Sequence, residues 1–342
     1  MQVSETVEQV FVHGVDDVRL EQVAAPQPGE NDAVLAVSAC GICGSDLAYI
    51  AMGGLPGPGG EPMPLGHELS GRIEALGSGV TQLSVGDRVV VNPVAAGNLG
   101  NGGREGGFTR RLLVKNAHEP GVLLPLPDGL SDEQGALVEP LGVAMHAVNQ
   151  SEALPGERVV VFGAGPIGLG VVAVLRYRGV EHITVVDLSA RRLDIAQRLG
   201  ASATINAGRE DVWAQIKSAQ GEESVHGMPV AASDVFIDAA GVASVFRGIV
   251  ENCKFGARIV VVALHKDEAA IPVFHIMAKE LTIRGSMAYP KEFGDVIAML
   301  DSGLDVGPMV THRFPLSQFD AALAVAKQPD QAGKVIVTMA ST

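Results

Sequence analysis

The sequence predicts an α/β protein with a β-rich first part, a doubly wound parallel sheet in the middle and a short mixed tail. Up to about residue 150, short apolar stretches alternate with glycine and proline turns, which is typical of strands. From about residue 155, apolar strands alternate with helical segments, the pattern of repeated βα units with right-handed crossovers. A length of 342 residues is long for one core, so two domains are expected.

Individual elements follow from local patterns, and three apolar stretches of the first part predict strands at 33–39, 69–77 and 87–93. The middle part predicts strands at 158–163, 182–187, 203–207, 233–241, 257–264 and 279–286. The first of these is apolar throughout, as in a strand buried on both faces of a parallel sheet. Helices are predicted at 166–179, ending at Gly179, at 190–200 and near 243–253. The tail predicts helices at 290–303 and near 317–327, and a strand at 334–339.

Composition and charge exclude several classes of protein. The chain is 47% hydrophobic with a mean hydropathy of +0.25, which is ample for a packed interior. A net charge of −14 disfavours a nucleic-acid partner, because phosphate backbones require a basic surface. No apolar run reaches the roughly 20 residues that cross a bilayer, and the N-terminus lacks a signal-peptide pattern. Three cysteines cannot form a disulfide framework, so a cytoplasmic protein without a membrane partner is expected.

A glycine-rich turn, GAGPIG, joins the first middle strand to the helix that follows it. Gly163, Gly165 and Gly168 have G-x-G-x-x-G spacing, with Pro166 and Ile167 between the last two. In this motif the first glycine permits a tight turn, the second lets a pyrophosphate approach, and the third lets helix and strand pack. The helix N-terminus favours phosphate through its free N–H groups and dipole. The turn therefore predicts a dinucleotide site; a glycine turn in a cofactor-free α/β domain is the alternative.

Asp187 ends the second middle strand, about 20 residues after the turn, where the motif places an acidic side chain. Its carboxylate can accept both ribose hydroxyls of NAD and would repel the 2′-phosphate of NADP. NAD is therefore expected rather than NADP. The neighbouring Arg191 and Arg192 weaken this preference, because an arginine there could accommodate the extra phosphate.

The stretch CGICGSD places Cys40 and Cys43 in a C-x-x-C pair. Such a pair can form a redox disulfide, supply half of a zinc knuckle, or contain a single reactive cysteine. Further along the chain, His67 and Glu68 begin an apolar strand, and Glu139 lies in an otherwise apolar segment. Each feature alone has an ordinary explanation, since a free cysteine packs well in a core and a lone carboxylate often caps a helix.

Taken together, Cys43, His67 and Glu68 ahead of the glycine-rich turn, with a later Glu-Pro, resemble the zinc-dependent medium-chain dehydrogenases. The polyol branch (sorbitol, butanediol and L-idonate dehydrogenases) is the most similar in motif pattern. The likeness spans nearly the whole chain and includes GICGSD, GDRVVVNP, GGFTRRLLV, LVEPLGVAMHA, DLSARRLDIAQRLGA, KELTIRGS and GKVIVT. It implies a GroES-like catalytic domain at 1–150, completed by 287–342, around a Rossmann NAD-binding domain at 151–286.

The resemblance also implies roles for individual residues. Cys43, His67 and Glu68 would hold one catalytic zinc whose fourth position stays open for water or substrate, in line with mixed S/N/O ligation. Glu139 would be a second carboxylate, acting through water or by exchanging with Glu68. Ser45 would receive the alcohol proton, and Asp46 would orient His67. Cys40 would only pack beneath the site.

Lys334, in GKVIVT, matches a basic position that reaches the cofactor phosphates in the family, and an exposed strand lysine is the alternative. Arg192 is the second basic residue assigned to the cofactor. Two features depart from the family. The segment 92–111 contains no cysteine, so the structural zinc of many relatives is not expected. Ala48 stands where relatives usually carry a histidine, which leaves the outer end of the proton path unassigned.

These assignments predict hydride transfer between NAD(H) and a secondary alcohol, diol or polyol, or the corresponding ketone. Two alternatives stay open: a zinc-free, NADPH-dependent quinone or enone reductase on the same fold, and an inactive NAD-binding sensor. The strand at 279–286 resembles one that pairs across a dimer in the family, so a homodimer or homotetramer is expected. The candidates for the substrate pocket are Tyr49, Met52, Phe108 and Met287, with Arg104 and Arg110 for an acidic substrate.

Overall fold

The computed structural model describes residues 5–55, 60–328 and 330–339. The other positions, including 1–4 and 340–342 at the ends of the predicted catalytic domain, lie outside the described residues. The first part of the chain contains the strands β1 (Thr6–Gly14), β2 (Asp17–Ala24), β3 (Ala33–Gly41), β4 (Met63–Pro64), β5 (Glu68–Leu76), β6 (Arg88–Val91), β7 (Arg111–Val114) and β8 (Leu123–Pro125). Its helices are α1 (Gly44–Met52), α2 (Asp132–Ala136) and α3 (Val138–Ser151).

The middle part alternates strands with helices. Its strands are β9 (Arg158–Phe162), β10 (His182–Asp187), β11 (Ala203–Asn206), β12 (Glu222–Val225), β13 (Met228–Ala231), β14 (Val235–Asp238), β15 (Arg258–Val261) and β16 (Thr282–Gly285). Its helices are α4 (Pro166–Tyr177), α5 (Ala190–Arg198), α6 (Val212–Gln220), α7 (Ala243–Asn252) and α8 (Val273–Ala278). The tail adds α9 (Phe293–Asp301), β17 (Val310–Pro315), α10 (Phe319–Ala326) and β18 (Lys334–Thr338).

The tail completes the larger sheet of the first part. The strand order is β17-β18-β3-β5-β6-β8, and β7 also pairs with β3. β18 runs antiparallel to β3 with Ile336 opposite Gly41, and β3 runs antiparallel to β5 with Gly41 opposite Glu68. This register brings the C-terminal strand, the end of β3 and the start of β5 to one place. β1, β2 and β4 form a separate three-stranded sheet.

The middle strands form a six-stranded sheet of order β11-β10-β9-β14-β15-β16, in which every neighbouring pair is parallel. Alternate residues of β9 face opposite cores. Val159 and Val161 pack with residues of α3 and α4, whereas Val160 and Phe162 pack with residues of α6 and α7. Burial on both faces explains the uninterrupted apolar run of this strand. The predicted fold class, a doubly wound parallel sheet beside a β-rich unit, is confirmed.

The structure contains elements that the sequence patterns do not predict, namely the strands β1, β2, β4, β7, β8 and β17, the hairpin β12–β13, and the helices α1, α2, α3, α6 and α8. β16 begins at Thr282 rather than at 279, because Lys279 ends α8 and its buried ammonium donates to the carbonyl oxygens of Val250 (3.1 Å) and Glu251 (2.7 Å). α3 crosses the predicted boundary at 150 and packs on α4, so the division into two domains stays a prediction. Within the described residues, no helix has the length and apolar character that crossing a membrane requires.

Asp32 joins the loop before β3 to the end of β7, and its replacement by asparagine should destabilise the fold. Its carboxylate accepts hydrogen bonds from Lys115 Nζ (2.8 Å) and from the N–H groups of Asn116 and Gly29 (3.2 Å each). Although burial alone would raise the pKa of Asp32, these bonds lower it below 3.8. We expect Asp32→Asn to reduce the free energy of unfolding at pH 7 by about 1–3 kcal/mol.

The pH dependence of this loss gives the check. Because the folded-state pKa is depressed, the contribution of Asp32 is present above pH 3.8 and disappears as the pH falls through the folded-state value. Urea unfolding of wild type and variant should therefore show stabilities that differ at pH 7 and converge in acid. A difference in the free energy of unfolding that stays constant down to pH 2.5 would contradict the assignment of this loss to the ionised carboxylate. A loss of similar size in the control Asp301→Asn would contradict it as well.

Candidate metal centre and dinucleotide site

Cys43, His67 and Glu68 meet at the point where the register of β3, β5 and β18 brings three chain segments together. One ligand atom of each, the sulfur, a ring nitrogen and a carboxylate oxygen, lies within 4.8 Å of the other two. Cys43 precedes the first turn of α1 directly after β3, and Glu68 begins β5 opposite Gly41. His67 and Glu68 are buried, whereas Cys43 is partly exposed. Among the described residues, this is the one group of such side chains with the spacing of a metal site.

Asp46 fixes the orientation of two of these residues. One carboxylate oxygen accepts the N–H of Cys43 at 2.8 Å, and the other lies 3.5 Å from Nδ1 of His67. Both this oxygen and Nδ1 are buried and have no hydrogen-bond partner, so they face each other as an ion pair. Nε2 of His67 therefore faces the centre, where it lies 3.4 Å from the Ser45 hydroxyl oxygen. Holding one imidazole nitrogen with a carboxylate leaves the other free to bind a metal.

The negative charges around His67 favour a cation at the centre. Although burial alone would lower the pKa of His67, the negative groups of Asp46 and Cys43 raise it well above its usual range. A metal ion at this centre would supply the positive charge that these negative groups favour. Sulfur, imidazole nitrogen and carboxylate oxygen are a donor set that zinc accepts, and three protein ligands are typical of a catalytic site. The residues present therefore fit a catalytic zinc.

Lys334 is a partner of Glu68. Its ammonium lies 2.6 and 2.5 Å from the two carboxylate oxygens of Glu68 and donates to the carbonyl oxygen of Ile42 at 3.2 Å. The side chains of Lys334 and Glu68 are 1% and 0% exposed, so the alternative of an exposed strand lysine is wrong. Lys334 begins β18 two residues before Ile336, which lies opposite Gly41 at the end of β3. Its assigned contact with cofactor phosphates stays a prediction, although its hydrogen bonds are already made to Glu68 and Ile42.

Glu139 lies on α3 near the centre but outside the group of three ligand atoms. Burial raises the pKa of Glu139 to about 7, and its carboxylate forms a hydrogen bond with the hydroxyl of Tyr289. Tyr289 is itself buried, with its ring centroid 4.9 Å from that of Phe293. The sequence analysis missed Tyr289, because no motif spacing links the loop before α9 to α3. Glu139 as a metal ligand stays a prediction.

The other two cysteines are reduced and buried. Burial raises the pKa of Cys40 well above its usual range and that of Cys253 to about 11. Thiols in such surroundings are weak nucleophiles and poor metal ligands, because the thiolate is disfavoured. Cys40 therefore packs beneath the centre. Cys40 and Cys43 are both free thiols in this structure, so the C-x-x-C pair does not form a disulfide.

The residues predicted for the substrate pocket do not all lie in one place. Tyr49 is half-buried, and its hydroxyl donates to Oδ1 of Asn101 at 3.2 Å. Phe108 is fully buried and packs edge-on against Phe319 at 4.8 Å between ring centroids, so it is a core residue. Two side chains are largely exposed: Met52 and Met287.

The two arginines considered for an acidic substrate have different surroundings. Arg110 lies 3.3 Å from the Glu8 carboxylate and donates to the carbonyl oxygen of Met339 at 3.2 Å. These contacts tie β1 and the C-terminal segment together, so Arg110 belongs to the sheet edge. Arg104 is exposed in the segment 92–111.

The glycine-rich turn has the backbone that the motif requires. Gly163 has a φ of +92°, and a Cβ there would lie 2.8 Å from the carbonyl carbon of Ala239. A Cβ on Gly168 would lie 1.8 Å from the Gly163 carbonyl oxygen, so only glycine allows α4 to approach β9. Gly165 precedes the first turn of α4, Pro166 begins the helix and Ile167 follows. A Cβ on Gly165 would have Arg192 as its nearest neighbour at 4.0 Å, which leaves the backbone open to a ligand.

Asp187 lies beside this turn. Its carboxylate accepts the N–H of Ala164 at 2.6 Å and the N–H of Ser189 at 2.7 Å. Arg192 lies on α5 and donates from Nε to the carbonyl oxygen of Ala332 at 2.9 Å. Burial lowers the pKa of Arg192. The predicted cofactor residues of the middle part are thus adjacent, and Arg192 links them to the tail.

Comparison with known proteins identifies two family regions in the chain. Residues 29–128 match the alcohol dehydrogenase GroES-like domain, and residues 166–302 match the zinc-binding dehydrogenase domain. Sorbitol dehydrogenase of Gallus gallus is 33% identical over 338 residues, which cover 93% of both chains.

Solved structures agree with this match. The 2R,3R-butanediol dehydrogenase of Bacillus subtilis superposes with a TM-score of 0.86 at 30% identity, over 98% of this chain and 100% of that one. A protein of Sinorhizobium meliloti 1021, described as a zinc-binding dehydrogenase bound to NADP, superposes with a TM-score of 0.84 at 27% identity, over 98% and 99% of the two chains. The chain therefore belongs to the zinc-binding medium-chain dehydrogenases, a family of oxidoreductases, in the branch that contains the sorbitol and butanediol dehydrogenases.

Proposed function

We propose that the protein is a zinc-dependent dehydrogenase that transfers hydride between NAD(H) and a secondary alcohol, diol or polyol, or the corresponding ketone. The observation that carries this proposal is the convergence of Cys43, His67 and Glu68 on one point. The sorbitol and butanediol dehydrogenases among its relatives support the substrate class. A zinc-free reductase would not need these three side chains together, and a sensor would not need an oriented imidazole.

In this proposal Cys43, His67 and Glu68 hold one zinc ion, and Glu139 provides a second carboxylate beside it. Zinc would act as a Lewis acid toward the alcohol or ketone oxygen, and the nicotinamide would exchange the hydride. Asp46 keeps Nδ1 of His67 occupied, so that Nε2 faces the metal position. Ser45, next to Nε2, accepts a hydrogen bond from the substrate hydroxyl.

We further propose that the turn Gly163–Pro166–Gly168 binds the cofactor pyrophosphate and that Asp187 binds the adenosine ribose of NAD. The support is the position of the Asp187 carboxylate beside the N–H of Ala164. A relative bound to NADP makes the choice of cofactor a matter for experiment. Arg192 could also meet a 2′-phosphate, since it lies near Gly165.

Asp187→Asn tests the cofactor assignment. Loss of the charge weakens the ribose contact of NAD and removes the repulsion of a 2′-phosphate. We expect the ratio of kcat/KM for NADP to that for NAD to rise by about 10- to 100-fold. The matched control is Asp194→Asn on the next helix, which should leave the ratio unchanged. An unchanged ratio in Asp187→Asn would show that this carboxylate does not set cofactor preference.

A panel of secondary alcohols, diols and polyols, assayed with NAD and NADP together with metal analysis, tests the function itself. The expected result is about one zinc per chain and reduction of NAD with at least one substrate, lost after chelation and regained with zinc. Absence of zinc would favour the zinc-free reductase. Zinc and NAD binding without turnover on any substrate would favour the sensor.

The division into domains near residues 150 and 286 is part of this proposal. We also propose a homodimer formed through β16, with a tetramer as the larger alternative. β16 is the last strand of its sheet, and the neighbouring helix α8 leaves Val273, Phe274 and Met277 each 66% exposed. Light scattering on wild type and on Phe274→Glu measures the assembly state. A wild-type mass equal to one chain at micromolar concentration would overturn the dimer.

A further inference from the structure

We propose that Asn101 is a positioning residue of the active site. It holds the Tyr49 hydroxyl in one direction, and Tyr49 in turn directs the Ser45 hydroxyl hydrogen away from the metal centre. The inference deepens the proposed function and rests on it, because the role of Ser45 as a hydrogen-bond acceptor for substrate belongs to that function.

The geometry is a continuous chain of polar contacts. Ser45 and Tyr49 are four residues apart on α1, so their side chains lie on one face of the helix. The Ser45 oxygen lies 3.4 Å from Nε2 of His67 and forms a hydrogen bond with the Tyr49 hydroxyl. The Tyr49 hydroxyl donates to Oδ1 of Asn101 at 3.2 Å. These contacts thus run from the proposed metal ligand His67 to Asn101 in the segment 92–111.

Asn101, at the outer end of this series of contacts, determines the direction in which the hydroxyl hydrogens of Tyr49 and Ser45 point. An amide oxygen can only accept, so the Tyr49 hydrogen is committed to Asn101. With its own hydrogen committed, the phenol oxygen can only accept on the side of Ser45, so Ser45 is the donor in the hydrogen bond between them. The lone pairs of Ser45 consequently face the centre, where a substrate hydroxyl can donate to them. Ala48 between Ser45 and Tyr49 has no polar side-chain atom to compete with this arrangement.

Asn101 belongs to the cysteine-free segment 92–111, and its side chain is not needed for the shape of the loop. Backbone hydrogen bonds join Asn101 N–H to Asn98 (2.9 Å), Gly103 N–H to Asn98 (2.9 Å) and Gly100 N–H to Glu105 (2.7 Å). None of them uses the side-chain amide of Asn101. The loop therefore offers this amide to Tyr49, and a substitution there can remove the contact without removing the loop.

Kinetics of five variants, including Tyr49→Phe as the background for one of them, test the proposal. Asn101→Leu removes the acceptor and should lower kcat for alcohol oxidation about three- to tenfold, with the KM for NAD unchanged. Asn101→Asp keeps an acceptor and should restore kcat to within about twofold of wild type. In a Tyr49→Phe background, Asn101→Leu should have no further effect, because the two residues act through one contact. Asn98→Gly, which suits the φ of +59° at that position, is the control from the same loop.

A second readout does not depend on turnover. The chain has three tyrosines, so ¹³C labelling at the phenol carbon gives three resonances, and Tyr49→Phe identifies that of Tyr49. Asn101→Leu should shift this resonance, whereas Asn101→Asp and Asn98→Gly should leave it near its wild-type position. A resonance unmoved by Asn101→Leu would overturn the positioning role, as would equal kinetic losses in the Leu and Asp variants. If the proposed function is wrong, the resonance still shifts while no dehydrogenase turnover is found, which separates the two failures.

Discussion

Replacing Cys43 with alanine is expected to remove the metal and, with it, the dehydrogenase activity. Only two ligands, His67 and Glu68, would remain of the group of three. Lewis-acid polarisation contributes several kcal/mol to a transition state, so kcat/KM should fall by about 10³-fold or more. Metal analysis of the purified variant should give far less than one zinc per chain. Binding of NAD should change less than about twofold, because the glycine-rich turn lies in the other sheet.

Cys40→Ala is the matched control for Cys43→Ala. Cys40 is three residues away and fully buried, and its sulfur lies 3.8 Å from the carbonyl oxygen of Gly41. Loss of a small buried side chain should lower the free energy of unfolding by about 1 kcal/mol and leave zinc content unchanged. If both variants lost zinc, the two cysteines would act together, contrary to the assignment of one thiolate. Full activity in Cys43→Ala would rule out the proposed centre.

Much of the fold was predictable because its patterns are local. The strands of the parallel sheet are buried on both faces, so each is an apolar run that stands out from its surroundings, as in Val159–Val161. β2 could not be recognised in this way, because Asp17–Ala24 contains no buried residue. Helix α1 begins with Gly44, Ser45 and Asp46, residue types that favour turns and caps over helix interiors, so its sequence does not predict a helix.

The site shows the same distinction between local and distant information. Cys43, His67 and Glu68 could be identified because each stands in a short motif, and the sheet register then explains why they meet. Lys334 and Tyr289 reach the centre from far along the chain. Their contacts depend on which strands pair and how α3 packs, and neither is recorded in the spacing of nearby residues. Sequence alone therefore indicated the three candidate ligands and Asp46, but not the contacts that Lys334 and Tyr289 make around them.

Replacing Lys334 with methionine should cause the largest loss of stability among the variants proposed. It leaves the carboxylate of Glu68, which is 0% exposed, without its cation. Removing one partner of a buried ion pair typically costs about 3–5 kcal/mol. Although burial alone would lower the pKa of Lys334, the charges of Glu68 and Cys43 raise it above 10.5. The ion pair is therefore intact at pH 7 and is lost only as the pH rises through that elevated value.

Urea unfolding at pH 7 after chelation measures this loss without competition from a metal at Glu68. Lys327→Met, which removes an exposed lysine 3.3 Å from Asp16, is the control and should cost less than about 1 kcal/mol. Adding Glu68→Gln to Lys334→Met should recover part of the lost stability, because a neutral amide is less costly to bury than an unpaired carboxylate. With zinc restored, the single variant should lose less, since Glu68 then faces a cation again. A loss below about 1 kcal/mol in the chelated protein would mean that Glu68 does not depend on Lys334.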